Sequence, residues 1–456
     1  MAVAAERTVP PALEGFAGRV ITPDDPDYDG ARTIYNALIN KRPSLIAQCQ
    51  GIADIVAAVE TARDEGLELS VRGGGHGVAG RALTDGGLTI DLSRMKGIHV
   101  DAQKGTVRVQ PGVTWGQLNR ETQVYGRAVT GGVISTTGIA GLTLGGGLGW
   151  IMARDGLALD NLLSADVVTA AGQVLRASED ENADLYWALR GGGGNFGVVA
   201  SFEYRVRPVG PTVVGGLVAH PFSDAPEVLR FYRDLISSAS DDLTAYAALI
   251  HAPDGVTKLA AIAVCHVGAR EDAERELAPL LSFGSPALSQ VGPMPYTAVN
   301  AMLDAGYPYG SLNYWKSSFM DELTDAAIEV LVDRYEQTTG PMTAFLLEHV
   351  HGAATRVPES ATAFPHRAPG INVAIPSVWL DPADTDANIA WTQESYAELQ
   401  PHLRRGRYVN YLAEDDTGEA AARAAYGSNF DRLVEVKTKY DPTNLFRLNA
   451  NIPPKA

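Results

Sequence analysis

Between residues 52 and 62 the apolar side chains fall at Ile52, Ile55, Val56, Val59 and Ala62. This is the i, i+3, i+4, i+7 spacing of one helix face, and Gly66 is placed to stop the helix. The run LELSV (67–71) then reads as a strand that feeds directly into the glycine loop RGGGHG (72–77). LTIDLS (88–93) and GTVRVQPG (105–112) read as further strands, and Thr114 stands as an N-cap before WGQLNRE. ADVVTAAGQVLRAS (165–178) predicts a β-hairpin, because two β-branched runs flank Ala-Ala-Gly. SEDENADLYWALR (178–190) predicts a helix capped by Ser178, and VVASFEYRVRP (198–208) a closing strand. Together these elements predict an α+β domain.

Beyond Pro208 the pattern changes to longer amphipathic helices (225–239, 270–281, 322–338). Strands at 244–252, 258–267, 344–354 and 371–379 alternate with them, predicting a sheet covered by helices in a second domain. The stretch 430–454 predicts a helix stopped by Asp441-Pro442 and then an extended tail.

Composition narrows the function. The 456 residues carry 37 Lys and Arg against 54 Asp and Glu, a formal charge of −17. That surface repels polyanions and disfavours nucleic-acid binding. With 45% apolar residues, no basic-then-apolar leader in MAVAAERTVPPALEGF and no long uncharged apolar run, the sequence predicts a soluble, cytoplasmic protein that does not enter a membrane. Cys49 and Cys265 are far apart and outside any CxxC pattern, so both read as small buried apolar residues.

Glycine is over-represented, at 47 residues, and clusters in three loops: 72–77, 131–149 and 191–197. Their common reading is close backbone approach to a phosphate-bearing ligand by unhindered N–H groups. The middle segment, GGVISTTGIAGLTLGGGLG, has too many glycines for a regular helix or strand and predicts a wrapping loop. No glycine is followed by Lys-Ser or Lys-Thr in a Walker frame, which excludes a P-loop. Gly192, Gly194 and Gly197 spell GxGxxG, but a helix precedes and a strand follows, the reverse of the Rossmann order.

The strings SVRGGGHGVAGRAL (70–83), GGVISTTGIAGLTLGGGLGW (131–150), DGLALDNLLSADVVTAAG (155–172), DLYWALRGGGGNFGVV (184–199), RYVNYL (407–412) and YDPTNLFRLNANIPP (440–454) resemble the berberine bridge enzyme-like branch of the vanillyl-alcohol oxidase flavoprotein superfamily. The resemblance implies an FAD domain built from residues 1–208 and 412–456, with a substrate domain, 209–411, inserted as an antiparallel sheet covered by helices. It implies FAD attached through His76, since in the family this position bonds to the 8α-methyl carbon of the flavin. Such attachment raises the flavin potential and prevents its loss. Where many relatives carry a second, cysteine linkage, this chain has Ile134, so the tether is expected to be single. Arg72, Gly73, Gly74, Gly75 and Gly77 resemble the pyrophosphate cradle. Ser135, Thr136, Gly138, Gly141, Gly145, Gly146 and Gly147 resemble the segment along the ribityl and phosphate groups. Asn195, Gly197, Val198 and Val199 resemble the strand start beside the flavin, while Asn410, Asn449 and Asn451 fall where relatives close over it.

Flavin oxidation of an alcohol needs a base for the hydroxyl proton. Tyr411 matches the second tyrosine of the family's Tyr-x-Asn-Tyr motif and is the candidate base, with Tyr408 as its neighbour. Read as a strand, RYVNYL places Arg407 and Arg405 on the Tyr411 side, where a positive charge would favour phenolate. In AFLLEHVHG, alternation puts His349 and His351 on one face and Glu348 on the other; Glu348 and His349 are further catalytic candidates. No third ligand follows His349-x-His351 at useful spacing, so no metal is expected. FPHR (364–367) reads as structural. The chain is thus expected to be an FAD-dependent oxidase, monomer or homodimer, that takes a hydride from a CH–OH carbon of a sugar or secondary metabolite and passes electrons to dioxygen. The alternatives are an amine oxidase acting on a cyclic amine such as a hydroxynicotine-type alkaloid, and a flavin-carrying binding protein without turnover.

Overall fold

The computed structural model describes Leu13 and residues 15–338 and 340–455; most of the N-terminal stretch read above for a leader lies outside them. Two small sheets form the first part. Strands Leu45–Gln48, Leu88–Asp91 and Leu69–Arg72 are parallel, with Arg19–Ile21 antiparallel at the edge. Helix Ile52–Asp64 covers this sheet, burying Ile55, Val59 and Ala62 of the predicted stripe together with Ala58, while Ile52 at its first turn is exposed and Val56 is half-buried. Gly66 turns the chain at φ +64°. The second sheet is antiparallel in the order Ile98–Asp101, Thr106–Val109, Val198–Arg205, Leu162–Val168, Val174–Ser178. Helix Trp115–Gln123 lies beside it, and the Gln117 amide oxygen reaches back to accept from the Thr114 N–H at 3.1 Å.

A two-stranded ribbon pairs Arg207–Pro208 with Arg127–Ala128, and the largest sheet has seven antiparallel strands in the order Leu288–Pro295, Thr212–Pro221, Lys258–His266, Leu243–His251, Phe345–Val350, Gly370–Trp379, Leu312–Met320. One face, with Phe345, Leu347, Val373 and Ile375, packs on helices Ala225–Ser237, Arg270–Ser282 and Asp325–Glu336. The other face, with Tyr246, Ala263, Phe319 and Val350, rests on Trp150 and Tyr408 of the glycine-rich part. The fold is therefore α+β, with an antiparallel sheet roofing the glycine-rich part.

Four local expectations change. The middle glycine segment contains a helix, Ile139–Gly145, buried on its Ile139 and Leu144 side. RYVNYL is a 3₁₀ turn, Val409–Tyr411, so Tyr408 and Tyr411 come together at 4.9 Å between ring centres, where a strand would separate them. Ser178 ends a strand and does not cap the next helix, which begins at Ala183 after Asn182 in the left-handed region. Strand 344–354 stops at Val350, and Ala353–Arg356 is helical. Strand Leu312–Met320 was not evident because all nine of its residues are buried, polar ones included, so no alternation marks it.

The tail is tied to the first part by a lysine that also forms a buried ion pair within the tail. Helix Phe430–Tyr440 ends at Asp441, and Lys437 donates to the Asp441 carboxylate at 2.7 Å and to the Asn195 carbonyl at 2.8 Å, both charged side chains being fully enclosed. Asp441 also accepts from the Leu445 and Phe446 N–H groups. Lys437→Met leaves that carboxylate buried without its cation, so it should cost about 3–5 kcal/mol and loosen the third glycine loop. Denaturant melts check this, and a loss under about 1 kcal/mol would contradict the role given to the pair.

Candidate active site

A long cavity runs from Leu69, Val71 and Leu92 of the first sheet, past all three glycine loops, to Leu303, Tyr307, Trp315, Leu346 and Tyr411 beneath the seven-stranded sheet. Its waist is set by two loops in backbone contact: a Cβ on Gly74 would lie 2.5 Å from the Gly138 Cα, and one on Gly138 would lie 2.6 Å from the Gly74 N. Only glycine permits this approach. Gly73, Gly74, Gly75, Gly77, Gly138, Gly141, Gly145, Gly197, Val198, Val199, Asn410 and Asn449 line the cavity. At Gly145 a Cβ would meet the Asn410 amide oxygen at 2.1 Å, so helix and tyrosine motif are fitted to each other.

His76 also faces this cavity. Its ring stacks on Tyr35 with centres 3.9 Å apart and planes 12° apart, and Nε2 lies 3.3 Å from the Thr136 hydroxyl. Burial lowers its pKa to about 4, so the imidazole is neutral at pH 7.

Other expected cofactor residues lie elsewhere. Arg72 turns away from the cavity, its Nε 4.0 Å from Asp91 and its Nη1 donating to the Ala31 carbonyl, because the strand sends alternate side chains to opposite sides. Ser135 and Thr136 line a surface groove together with Arg72, Gly73 and Gly74, the two glycines being shared with the cavity, and Ser135 is held there by Asp304 through N–H (2.8 Å) and hydroxyl (2.5 Å) bonds. Gly146 and Gly147 pack on Tyr408, not on the cavity. Asn195 is wholly buried and structural: its amide donates to the Gly192 and Ala450 carbonyls, and its oxygen accepts from the Ile452 N–H. Asn451 does not line the cavity either.

Tyr408 and Tyr411 line the substrate end. The Tyr408 oxygen accepts from the Gly147 N–H at 2.8 Å and the Asn410 amide at 2.9 Å, and burial pushes its pKa up to about 12. Tyr411 departs from expectation. Arg407 pairs with Asp416 and Arg405 is exposed, so neither supplies the charge foreseen for phenolate. Instead the Tyr411 hydroxyl donates to Glu348 at 3.2 Å. Burial and then the Glu348 charge raise its pKa well above the ordinary tyrosine value.

Glu348 sits in a cross-strand row, flanked by Tyr246 on one neighbouring strand and Asn372 on the other. Asn372 donates to its second oxygen at 2.6 Å. The carboxyl is buried behind Tyr411, and burial pushes its pKa up to about 7, the two hydrogen bonds only partly opposing this. His349 occupies the opposite sheet face, stacked on His351 at 4.0 Å, and does not reach the cavity; this corrects its expected catalytic place by the same alternation that sends Glu348 inward. Among the described residues no cluster of three or more His, Cys, Asp or Glu could hold a metal, and no helix is long and apolar enough to cross a membrane.

The sequence offered no signal for Asn372, whose place beside Glu348 depends on strand register, or for Trp315, which packs edge-on against Tyr411 at 5.4 Å and Tyr307 at 5.9 Å. Arg81 is the cation on the cavity lining among the described residues, and it donates to the Asp416 carbonyl at 2.8 Å. In FPHR, Arg367 forms a buried two-fold ion pair with Asp160, a structural role. Both cysteines are buried, and burial raises the Cys265 thiol to about 12.

The chain is similar in sequence and fold to known proteins. A family model described as FAD binding domain matches residues 43–178, and one described as Berberine and berberine like matches residues 407–453. An FAD-linked oxidoreductase of Dictyostelium discoideum is 31% identical over 430 residues, covering 92% of each chain. The crystal structure of 6-hydroxy-D-nicotine oxidase from Arthrobacter nicotinovorans matches with a TM-score of 0.90 at 30% identity, covering 98% of this chain and 100% of that one. A xylooligosaccharide oxidase from Myceliophthora thermophila matches with a TM-score of 0.86 at 25% identity, covering 97% and 98%.

A carboxyl with a pKa near 7 behind a neutral phenol makes a proton acceptor that gains strength as pH rises. In an assay of any turned-over substrate, kcat/KM should climb with pH through about 7, and Glu348→Gln should abolish the climb and cost roughly 10²–10⁴ in rate. The raised native pKa also makes the folded state hold a proton that the unfolded chain releases, so stability should fall as pH rises from the ordinary value of 4.5 to about 7. Glu348→Gln should flatten that slope in thermal melts.

Proposed function

The chain belongs to the berberine bridge enzyme-like family of FAD-linked oxidoreductases, and on that premise we propose that it is an oxidase of a compact amine with an apolar body. FAD is its cofactor. The cavity fits it: a long slot walled by main chain at Gly73–Gly75, Gly138, Gly141 and Gly197, with open space where a Gly141 Cβ would stand. FAD, when bound, takes the hydride from the substrate carbon and delivers the electrons to dioxygen.

The observation that carries the amine reading is the Tyr411–Glu348 pair. An alcohol needs its hydroxyl proton removed by a strong base, and phenolate at Tyr411 is disfavoured here by a neighbour of the wrong sign. An amine is oxidised from its free base and only has to lose an ammonium proton. A carboxylate of pKa near 7 can take that proton through the Tyr411 hydroxyl, which passes its own proton to Glu348 as it accepts one. The same negative charge, with the aromatic walls of Trp315, Tyr307 and Tyr411, attracts the cationic substrate. Ile134, Leu303 and Leu346 give the pocket an aliphatic lining. A sugar would leave many hydroxyls without partners against that surface. The relative named for nicotine oxidation agrees with this reading, whereas the oligosaccharide oxidase is the less similar of the two.

The tether we propose is His76 alone. A neutral imidazole faces the cavity, Ile134 occupies the position of a second linkage, and Cys49 and Cys265 are buried away from the lining. The division at residues 208 and 411 completes the proposal, the inserted sheet carrying Glu348 and the flanking segments the cradle.

Anaerobic mixing tests the substrate class. Cyclic secondary or tertiary N-alkyl amines should bleach the flavin, and matched alcohols should not. Tyr411→Phe should slow the amine reaction at neutral pH and lose less at pH 9, where a larger fraction of the amine is already free base. Bleaching by alcohols alone would overturn the amine reading, and no bleaching by a broad panel would favour a binding protein.

A further inference from the structure

We propose that Tyr35 is the positioning residue that fixes the His76 imidazole for attachment of the flavin, with Thr136 selecting the nitrogen that reacts; this rests on the His76 tether proposed above. Tyr35 is wholly buried and does not line the cavity, yet its ring lies parallel to His76 at 3.9 Å and 12°. It covers one face of the imidazole. Its hydroxyl is buried beside Ser311 without a hydrogen bond of ordinary geometry, and it is the ring that contacts His76.

The backbone around Tyr35 is tied on both sides. Its N–H donates to the Gly75 carbonyl at 3.0 Å, the carbonyl just before His76, and its own carbonyl accepts from the Gly310 N–H at 3.0 Å. Next to it the buried Asn36 amide bridges the Val78 and Asn313 carbonyls at 2.7 and 2.9 Å. The strap Tyr35–Asn36 therefore locks the His76 loop to the roofing sheet at the point where the imidazole emerges.

The reacting lone pair of an imidazole lies in the ring plane, so fixing the plane fixes the direction of attack. With the proton on Nε2 donated to the Thr136 hydroxyl, the lone pair is left on Nδ1. In the attachment step Nδ1 bonds to the flavin 8α carbon and one methyl C–H bond breaks, its electron pair passing into the ring system. The methyl proton and the imidazole proton are the two that the reduced ring takes up. Dioxygen then removes both electrons and both protons as hydrogen peroxide.

The test compares purified wild type, Tyr35→Phe, Tyr35→Leu, Thr136→Val and His76→Ala by acid precipitation. It reads flavin in pellet against supernatant, total bound flavin, and the rate at which added FAD becomes precipitable. Wild type and Tyr35→Phe should attach flavin equally, since Phe keeps the stack. Tyr35→Leu fills the space without a planar face and should still bind FAD but attach it at least tenfold more slowly. Thr136→Val, at an exposed position, should slow attachment several-fold and carries the test if Tyr35→Leu does not fold. Attachment by Tyr35→Leu or Thr136→Val at the wild-type rate overturns the proposal, as does a loss in Tyr35→Phe equal to that in Tyr35→Leu. Colour in the wild-type supernatant, or in the His76→Ala pellet, refutes the tether itself, a result distinguishable from failure of the positioning role.

Discussion

The contact of Gly74 with Gly138 is the constraint on which this molecule is built. Two loops from different sheets meet backbone to backbone, with no room for a side chain on either. That contact places peptide groups, not side chains, along the waist of a deep slot, which suits a long cofactor with a pyrophosphate at its middle and aromatic ring systems at its ends. Because the slot needs walls from both sheets, everything that locks the loops in place becomes part of the cofactor site. Asn195, Lys437 and Asp441 hold the third loop and tail without lining the slot, and Asp304 holds Ser135 from the roofing domain.

The roof brings the chemistry. An antiparallel sheet with one face on helices must present its other face to something, and here that face covers the cavity. Alternation along Phe345–Val350 sends Glu348 toward the cavity side and His349 away, while lateral register supplies Tyr246 and Asn372 as its neighbours. Burial then decides what the carboxyl can do. In water it would be a weak base; behind Tyr411 its affinity for a proton rises into the range where it can accept one from an ammonium at neutral pH. The same burial makes phenolate at Tyr411 unfavourable. One environment therefore sets the two groups apart: the phenol stays protonated, and the carboxyl becomes the better proton acceptor of the pair.

Local pattern made much of this legible. The helix at 52–64, the glycine loops, the hairpin closed at Gly172 and the stop at Asp441 follow from spacing and turn chemistry that act over a few residues. The motifs around His76 and Tyr411 carried the family resemblance, and the cavity contains both residues. What failed were inferences that stretched a local period across a site. RYVNYL alternates like a strand, but with Tyr408 anchored by Gly147 and Asn410 by the Leu142 carbonyl it folds as a 3₁₀ turn. The glycines of 131–149 argued against a helix, yet Ile139–Gly145 forms one because its Ile139 and Leu144 side is buried and its two ends are fitted closely to Gly74 and Asn410.

The amino-acid order by itself thus determined the elements, the glycine-lined slot, the imidazole at 76 and the absence of a cysteine at 134, since each depends on residue type and near neighbours. Tertiary structure alone decided that Glu348 stands behind Tyr411, that Arg407 is spent on Asp416, and that Tyr35 lies flat on His76. Those three pairs are separated by 63, 9 and 41 residues, and their partners are chosen by strand register, by a turn and by packing between segments. A charge acts through distance and burial, and neither can be read until the chain has closed on itself.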